Sequence, residues 1–170
     1  MREYITYAKD LIKEAEGFSA VVYNCPSGYP TIGYGRNLSA NPLSESEKLK
    51  TNNRIVEGKA QMVVSKNLAD EWLTQEVVKI ASQCEGKEWF EYLGFERKGV
   101  VIDMIYNIGM SKWNGFKKCQ SALKEKNFGD ASLELMDSKW YKQVGLRGKR
   151  NVEIMKFGEK IHDFYKGEGV

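Results

Sequence analysis

Three polar residues in the first part of the chain have types and spacing that could perform acid–base chemistry. Glu16 follows a stretch of helical periodicity, Cys25 comes nine positions later, and Thr31 follows six positions after that. The negative end of a helix dipole disfavours an ionised carboxylate, and a glutamate that keeps its proton near neutral pH can act as a general acid on a glycosidic oxygen. Because a surface glutamate without function would fit the same position, Glu16 alone does not identify the chemistry.

The thiol of Cys25 permits a second kind of chemistry. An ordinary thiol, with a pKa of about 8.5, is a poorer general base than a carboxylate, whereas its thiolate is a better nucleophile. With His162 as its base, Cys25 would make a peptidase or an amidase. His162 is the only histidine, however, and a lone histidine near a helix end is more often a surface residue. A third alternative is that Cys25 is a small structural residue in a turn beside Pro26.

The hydrophobic pattern predicts the elements that would position these residues. Residues 4–15 carry apolar side chains at helical spacing, and Gly17 is a plausible end for that helix. Two runs with strand composition then enclose a turn rich in proline and glycine. We therefore expect a hairpin over residues 20–35.

The remainder of the chain has a mainly helical pattern. Residues 36–64 are polar and are predicted to form loops, with a further short strand at 54–57 or 61–64. Ser65 is a suitable N-cap for a long helix. Four more apolar stripes predict successive helices, over residues 100–108, 116–123, 133–141 and 154–165. The prediction is an α+β fold in which a small β-hairpin lobe and a larger helical lobe are joined by a long helix and enclose a cleft.

Composition excludes several classes of protein. Lys and Arg number 26 against 23 Asp and Glu, and this net charge of +3 suits an acidic polymer but is too weak to indicate a nucleic-acid partner. Three widely spaced cysteines and one histidine indicate free thiols in a reducing compartment rather than a metal site. No cofactor is implied. No segment has the apolar length for membrane insertion, and the N-terminal region has charges where a signal peptide needs an apolar stretch.

The hairpin carries a motif of several matched positions. Glu16-Gly17 ends the first predicted helix, Tyr23, Cys25 and Gly28 lie in the hairpin, and the strand Thr31-Ile-Gly-Tyr-Gly35 follows. In this pattern the chain resembles the phage-type lysozymes, glycoside hydrolase family 24, where many members have Asp at the Cys25 position and some have Cys. The resemblance extends over nearly the whole chain, through the segments Met104–Gly109, Trp113–Phe116, Ser138–Gln143 and Gly145–Arg150.

The resemblance implies a single lysozyme-like domain over residues 1–170, with a β-rich lobe at about 17–64 and a helical lobe at about 85–170 on which the first helix packs. It implies an endolysin that hydrolyses the β-1,4 bond between N-acetylmuramic acid and N-acetylglucosamine in peptidoglycan and so lyses the host cell. The expected protein is a monomer that stays in the host cytoplasm until a membrane-permeabilising partner of the holin type releases it to the cell wall.

The resemblance also implies roles for individual residues. Glu16 would donate the proton, Thr31 would hold the attacking water, and Cys25 would help to activate or place that water. Arg147 looks like the arginine that pairs with the catalytic glutamate and orients it. Further residues are expected to contact the substrate, with the identity at the last of them differing from that of the family: Tyr34, Gly35, Tyr106, Asn107 and Glu134.

Arg36 is a departure from the family pattern. It stands where a histidine often follows the second glycine of the strand, and Glu76 occupies the position of that histidine's acidic partner. We therefore predict a structural ion pair between Arg36 and Glu76.

Three other functions remain open from the residues. A lytic transglycosylase would use Glu16 without water, and a cell-wall peptidase or amidase would use Cys25 and His162. A glycan-binding module without activity is the third, although binding alone does not require an acid beside a water-holding hydroxyl.

Overall fold

The computed structural model describes residues 2–167, in two compact units. One unit contains the residues up to Ala15 together with those from Glu76 onward, and the other contains Glu16–Gln75. The described residues form ten α-helices, five β-strands and one 3-10 helix. This confirms the predicted α+β class.

The unit Glu16–Gln75 is built on an antiparallel sheet. Its strands are β1 (Ser19–Asn24), β2 (Pro30–Gly33), β3 (Arg36–Asn37), β4 (Asn52–Val56) and β5 (Lys59–Val63). The strand order is β3-β2-β1-β5-β4. The predicted hairpin is therefore β1 and β2. The two places predicted for a further strand, 54–57 and 61–64, overlap β4 and β5, which pair with each other. A short helix, α2 (Glu45–Lys48), lies in the segment predicted to be loops.

The pairing of β1 with β2 is irregular, and the irregularity decides which side chains are neighbours. Ser19 is paired with Gly33, but Tyr23 is paired with Thr31. Four residues of β1 thus correspond to two of β2, so the intervening residues form a bulge. In a regular antiparallel register Val21 would lie opposite Thr31. The bulge places Tyr23 there instead.

The first part of the long helix α3 (Lys66–Cys84) belongs to the same unit and covers the sheet. Ser65 caps it as predicted, since its hydroxyl accepts a hydrogen bond from the Leu68 N–H at 3.1 Å. The buried cluster of this unit comprises Ile32, Leu43, Val64, Leu68, Ala69 and Trp72. Gly33 has a φ of +65°, which favours glycine, and it comes so close to α3 that a Cβ there would lie 3.1 Å from the Ala69 Cβ.

The other unit is helical. Its elements are α1 (Glu3–Glu16), which ends one residue beyond the unit, the second part of α3, α4 (Glu88–Glu91), α5 (Phe95–Ile108), α6 (Met110–Trp113), α7 (Lys117–Lys124), α8 (Phe128–Met136), α9 (Lys139–Val144), α10 (Leu146–Phe157) and a 3-10 turn, Phe164–Lys166. Trp72, Trp113 and Trp140 belong to the buried core, since each is at most 5% exposed.

Two predicted helices differ from the structure. The one expected over residues 133–141 is two helices, because the Ser138 hydroxyl accepts a hydrogen bond from the Tyr141 N–H and so starts α9. The last predicted helix, over 154–165, ends at Phe157. Gly158 there takes a left-handed conformation that terminates α10.

Neither a membrane span nor a metal cluster occurs in the part of the chain that the structure describes. None of the helices in residues 2–167 is both long and apolar enough to cross a bilayer. Within the same residues, His, Cys, Asp and Glu side chains nowhere gather in groups of three or more that could hold a metal ion.

Candidate active site

Glu16 is the last residue of α1, and its half-buried side chain lies against the backbone of Gly35. A Cβ built on Gly35 would be 2.7 Å from both Cδ and Oε2 of Glu16, closer than atoms in real structures approach. Gly35 also has a φ of +81°, which disfavours any other residue. The glycine at the end of the Thr31–Gly35 motif therefore makes the space in which the Glu16 carboxyl rests.

Cys25 and Thr31 are joined through one backbone oxygen. The carbonyl of Tyr29 accepts a hydrogen bond from the Cys25 N–H and another from the Thr31 hydroxyl, each at 3.0 Å. A turn closed by the Gly28 N–H and the Cys25 carbonyl, at 2.7 Å, holds the loop between them. The hairpin thus positions both residues that the sequence predicts to handle water.

The Cys25 thiol differs from the other two cysteines. Hydrogen bonding from the backbone at Tyr29, helped by the backbone at Ser27, holds the pKa of Cys25 below its usual value despite the cost of burial. Burial instead raises the pKa of Cys84 and of Cys119 to about 12. All three thiols are free, and Cys25 is the one with increased thiolate character.

Tyr23 is a neighbour of these residues that the sequence analysis did not identify as functional. Burial, then the charge of Glu16, then that of Cys25 raise the pKa of the Tyr23 hydroxyl. The influence of both charges indicates that all three side chains belong to one neighbourhood. Tyr23 is one of the matched positions of the hairpin motif, but the alternation of residues along β1 does not show the register shift that places it opposite Thr31.

The predicted ion pair between Arg36 and Glu76 is wrong, because Arg36 pairs with Glu47. The Arg36 Nη1 lies 2.6 Å from Glu47 Oε1, and its Nη2 lies 3.1 Å from Oε2. Glu47 also completes the capping box of α2 with Ser44. These hydrogen bonds lower the pKa of Glu47 to about 2, with Arg36 as the largest cause. The sequence analysis missed this partner because it treated the segment containing α2 as loop.

Arg36 has further contacts within the same unit that hold its side chain in place. Arg36 further donates to the backbone oxygens of Asn41 and Pro42, at 3.0 Å each, and its guanidinium lies 5.0 Å from the Trp72 ring centre.

Tyr34, predicted to contact substrate, is half-buried and packs its ring 5.4 Å from that of Phe18.

In the helical unit, Tyr106 and Asn107 lie at the end of α5. Asn107 is exposed, and its Oδ1 accepts a hydrogen bond from the Trp140 Nε1 at 3.0 Å. That bond fixes the direction of the amide, and leaves its N–H2 group as the part that points away from Trp140. An oriented amide and a half-buried tyrosine are suitable groups for holding a sugar.

Arg147 is held by Asp103, a residue that the sequence analysis did not select. Asp103 is fully buried and binds Arg147 in a bidentate manner, at 3.0 Å to Nε and 2.8 Å to Nη2. It also accepts from Arg150 at 3.3 Å and from Asn151 at 2.6 Å. Burial alone would raise the pKa of Asp103, but the charges of Arg147 and Arg150 hold it below its usual value. The sequence signal that could have identified Asp103 is its position as a charged residue within the apolar stripe of α5.

Glu134 lines an open groove of about 520 Å³ in the helical unit. Its walls combine bases, acids and an aromatic ring, from Lys112, Gly115, Phe116, Lys117, Lys118, Cys119, Glu134, Asp137 and Ser138. Mixed charges of this kind suit a zwitterionic or polar ligand.

His162 has a structural partner. Its Nδ1 lies 2.5 Å from Glu153 Oε1, and Glu153 also accepts hydrogen bonds from the backbone N–H groups of Ile161 and His162. This pairing within the helical unit gives the histidine a role in holding the segment after α10.

The α+β fold, with a glutamate at the end of the first helix and a hairpin directly after it, is that of the lysozyme class of glycoside hydrolases. A family model described as phage lysozyme matches residues 13–153, so the chain belongs to the phage lysozyme family. This confirms the resemblance seen in the sequence. The protein is a lysozyme, a muramidase-type hydrolase of peptidoglycan.

Two curated relatives from Dictyostelium discoideum are similar over nearly their whole length. "Probable T4-type lysozyme 2" is 24% identical over 168 residues, which cover 91% of this chain and 96% of the relative. "Probable T4-type lysozyme 1" is 24% identical over 163 residues, with the same coverage of both chains.

Proposed function

We propose that the protein is an endolysin that hydrolyses the β-1,4 bond between N-acetylmuramic acid and N-acetylglucosamine, and that this cleavage lyses the host cell. The observation that carries the proposal is the seating of the Glu16 carboxyl against Gly35 in the unit that also contains Cys25 and Thr31. Glycoside hydrolysis needs an acid for the leaving oxygen and a group that activates water on the sugar, and Glu16 together with Cys25 and Thr31 would supply them.

In the proposed reaction, Glu16 donates its proton to the glycosidic oxygen as the bond breaks. The sugar passes through an oxocarbenium-like state, and a water molecule attacks it. Because the Thr31 hydroxyl donates its hydrogen to Tyr29, its oxygen lone pairs remain to accept a hydrogen bond from that water. The Cys25 thiolate accepts a proton from that water as the water attacks, and the lowered pKa of this thiol increases the fraction present as thiolate.

The remaining predicted residues complete the proposed site. In the role that the family resemblance implies, Arg147 would orient Glu16, and Asp103 holds the Arg147 guanidinium. The substrate contacts are those predicted from the family: Tyr34, Gly35, Tyr106, Asn107 and Glu134.

The proposed biological setting follows the family. A single lysozyme-like domain acts as a monomer and remains in the host cytoplasm until a holin-type partner permeabilises the membrane. It then reaches the peptidoglycan strand in the cell wall.

The test is digestion of purified peptidoglycan with the wild type and with Glu16→Gln, followed by mass spectrometry of the products. We expect disaccharide muropeptides with reducing N-acetylmuramic acid ends, and their loss in the variant. Glu14→Gln is the matched control, because Glu14 is an acid on the same helix whose partners are Arg150 and Lys160. It should change stability and leave the products the same.

Two outcomes would replace the proposal. Products lighter by one water would identify a lytic transglycosylase that uses the same glutamate. Free stem peptides with intact glycan, still formed by Glu16→Gln, would identify a peptidase or amidase and direct attention to Cys25.

A further inference from the structure

We infer that Tyr23 is a substrate-contacting residue, whose ring packs against a sugar ring of the glycan beside the reacting bond. The inference rests on the proposed function, since it requires the glycan to reach Cys25 and Thr31. It adds a binding contact at Tyr23, a position of the motif to which the sequence analysis assigned no role.

The first support is the register of the hairpin. Tyr23 is paired directly with Thr31, and directly opposed residues of antiparallel strands project from the same face, with Cβ atoms about 4.5–5.5 Å apart. Cys25 directly follows the end of β1, and its N–H and the Thr31 hydroxyl both donate to the Tyr29 carbonyl, at 3.0 Å each. Tyr23 and Thr31 therefore share a face of the hairpin, and Cys25 lies at the end of the strand beside them.

The second support is the difference in exposure between the paired residues. Thr31 is only 3% exposed, whereas Tyr23 is 36% exposed. The large side chain thus presents surface to solvent beside a small one that has almost none. A sugar ring brought to Thr31 from solvent meets the Tyr23 ring, and the apolar face of a pyranose packs well on an aromatic ring.

The third support is the bulge in β1. Without its extra residues Val21 would lie opposite Thr31, and an aliphatic side chain offers neither a flat face nor a hydroxyl. Bulges occur frequently beside active sites, where they redirect a side chain. The charges of Glu16 and Cys25 both act on the Tyr23 hydroxyl, which agrees with a position at the reacting groups.

The binding experiment uses the Glu16→Gln protein as background, so that no turnover occurs, and a tetramer of N-acetylglucosamine as the probe. Amide NMR titration gives the Kd with Tyr23 intact and with Tyr23→Ala or Tyr23→Phe added. We expect Tyr23→Ala to weaken binding roughly five- to tenfold and Tyr23→Phe to stay within about twofold of the background. Val22→Ala is the matched control, because Val22 is an adjacent residue of β1 with 40% exposure and is not paired with Thr31.

Steady-state kinetics on soluble peptidoglycan provide the second readout, in the otherwise wild-type protein. Tyr23→Ala should raise KM by a similar factor while kcat changes little, whereas partial unfolding would lower the apparent kcat and leave KM the same. If Tyr23→Ala does not fold, Tyr23→Leu replaces it, since leucine keeps the bulk and lacks the aromatic face.

Several results would overturn the inference. Unchanged Kd and KM in Tyr23→Ala would show that the ring makes no contact, and equal losses in Tyr23→Phe and Tyr23→Ala would assign the effect to the hydroxyl. If the tetramer does not bind to the background protein, the KM comparison decides. Undiminished peptidoglycan hydrolysis by Glu16→Gln would instead overturn the proposed function, which is a separate result.

Discussion

Gly35 and Glu16 are in such close contact that a Cβ at position 35 would force the Glu16 carboxyl to move. The carboxyl of Glu16 occupies the space that a Cβ on Gly35 would need, at 2.7 Å from its Cδ and Oε2. The contact explains why the strand motif ends in glycine, and it links two residues that lie 19 positions apart in the sequence. Position 35 therefore has two separate reasons to be glycine, which are the contact with the Glu16 carboxyl and the left-handed backbone.

Gly35→Ala should abolish most of the activity while the protein stays folded. The new methyl group displaces the Glu16 carboxyl, and a misplaced general acid costs about a hundredfold in rate. The left-handed backbone adds about 1–2 kcal/mol of destabilisation. Peptidoglycan turnover and thermal melting measure the two effects.

Gly58→Ala is the matched control for that substitution. Gly58 has a similar φ of +75°, yet nothing lies within 4 Å of a Cβ built there. It should lose comparable stability and keep its activity. Equal activity losses in the two variants would show that strain, rather than displacement of Glu16, explains the effect of Gly35→Ala.

Cys25→Asp should retain or improve activity and shift its pH dependence. A general base acts when deprotonated, so kcat/KM rises with pH through the pKa of the base. In the wild type this limb follows the thiol, whose pKa lies below its ordinary value. An ordinary aspartate titrates near pH 3.9, so the limb should move to lower pH. The measurement is a pH profile of kcat/KM on soluble peptidoglycan.

Cys25→Ser provides the control, because it keeps a small polar residue without a group that titrates in this range. It should lower the rate and lose the limb assigned to the thiol. Complete inactivity of Cys25→Asp would instead favour a thiol nucleophile and a peptidase or amidase reaction.

Asp103→Asn should destabilise the protein by about 3–5 kcal/mol, because it leaves two buried guanidinium groups without their shared carboxylate. Arg147 and Arg150 both bind Asp103, and all three are at most 7% exposed. Urea unfolding monitored by circular dichroism gives the free energy of unfolding.

The surface pair of Glu88 and Lys124 supplies the comparison for this buried network. Glu88 is 69% exposed, and Glu88→Gln should change the free energy of unfolding by no more than about 0.5 kcal/mol. A change of that small size in Asp103→Asn would mean that Asp103 does not carry the charge balance of the network.

Local sequence determined the elements around the site and the order of the candidate groups along them. The end of the helix at Glu16, the turn between Cys25 and Thr31, and the cap at Ser65 are local features. Each depends on contacts within a few residues. Such contacts follow from residue type, because helix ends, caps and tight turns are made by the backbone near them. The family resemblance and the α+β class followed from the same local patterns.

Only the tertiary structure decided which distant residues became partners. Arg36 forms an ion pair with Glu47, and Arg147 forms one with Asp103. Tyr23, rather than Val21, is paired with Thr31. Each outcome depends on how strands and helices pack, since a bulge or a short helix changes which side chains meet without changing the periodicity of the sequence. The kinds of groups at the site were therefore readable from local spacing, whereas their partners were determined by packing between elements.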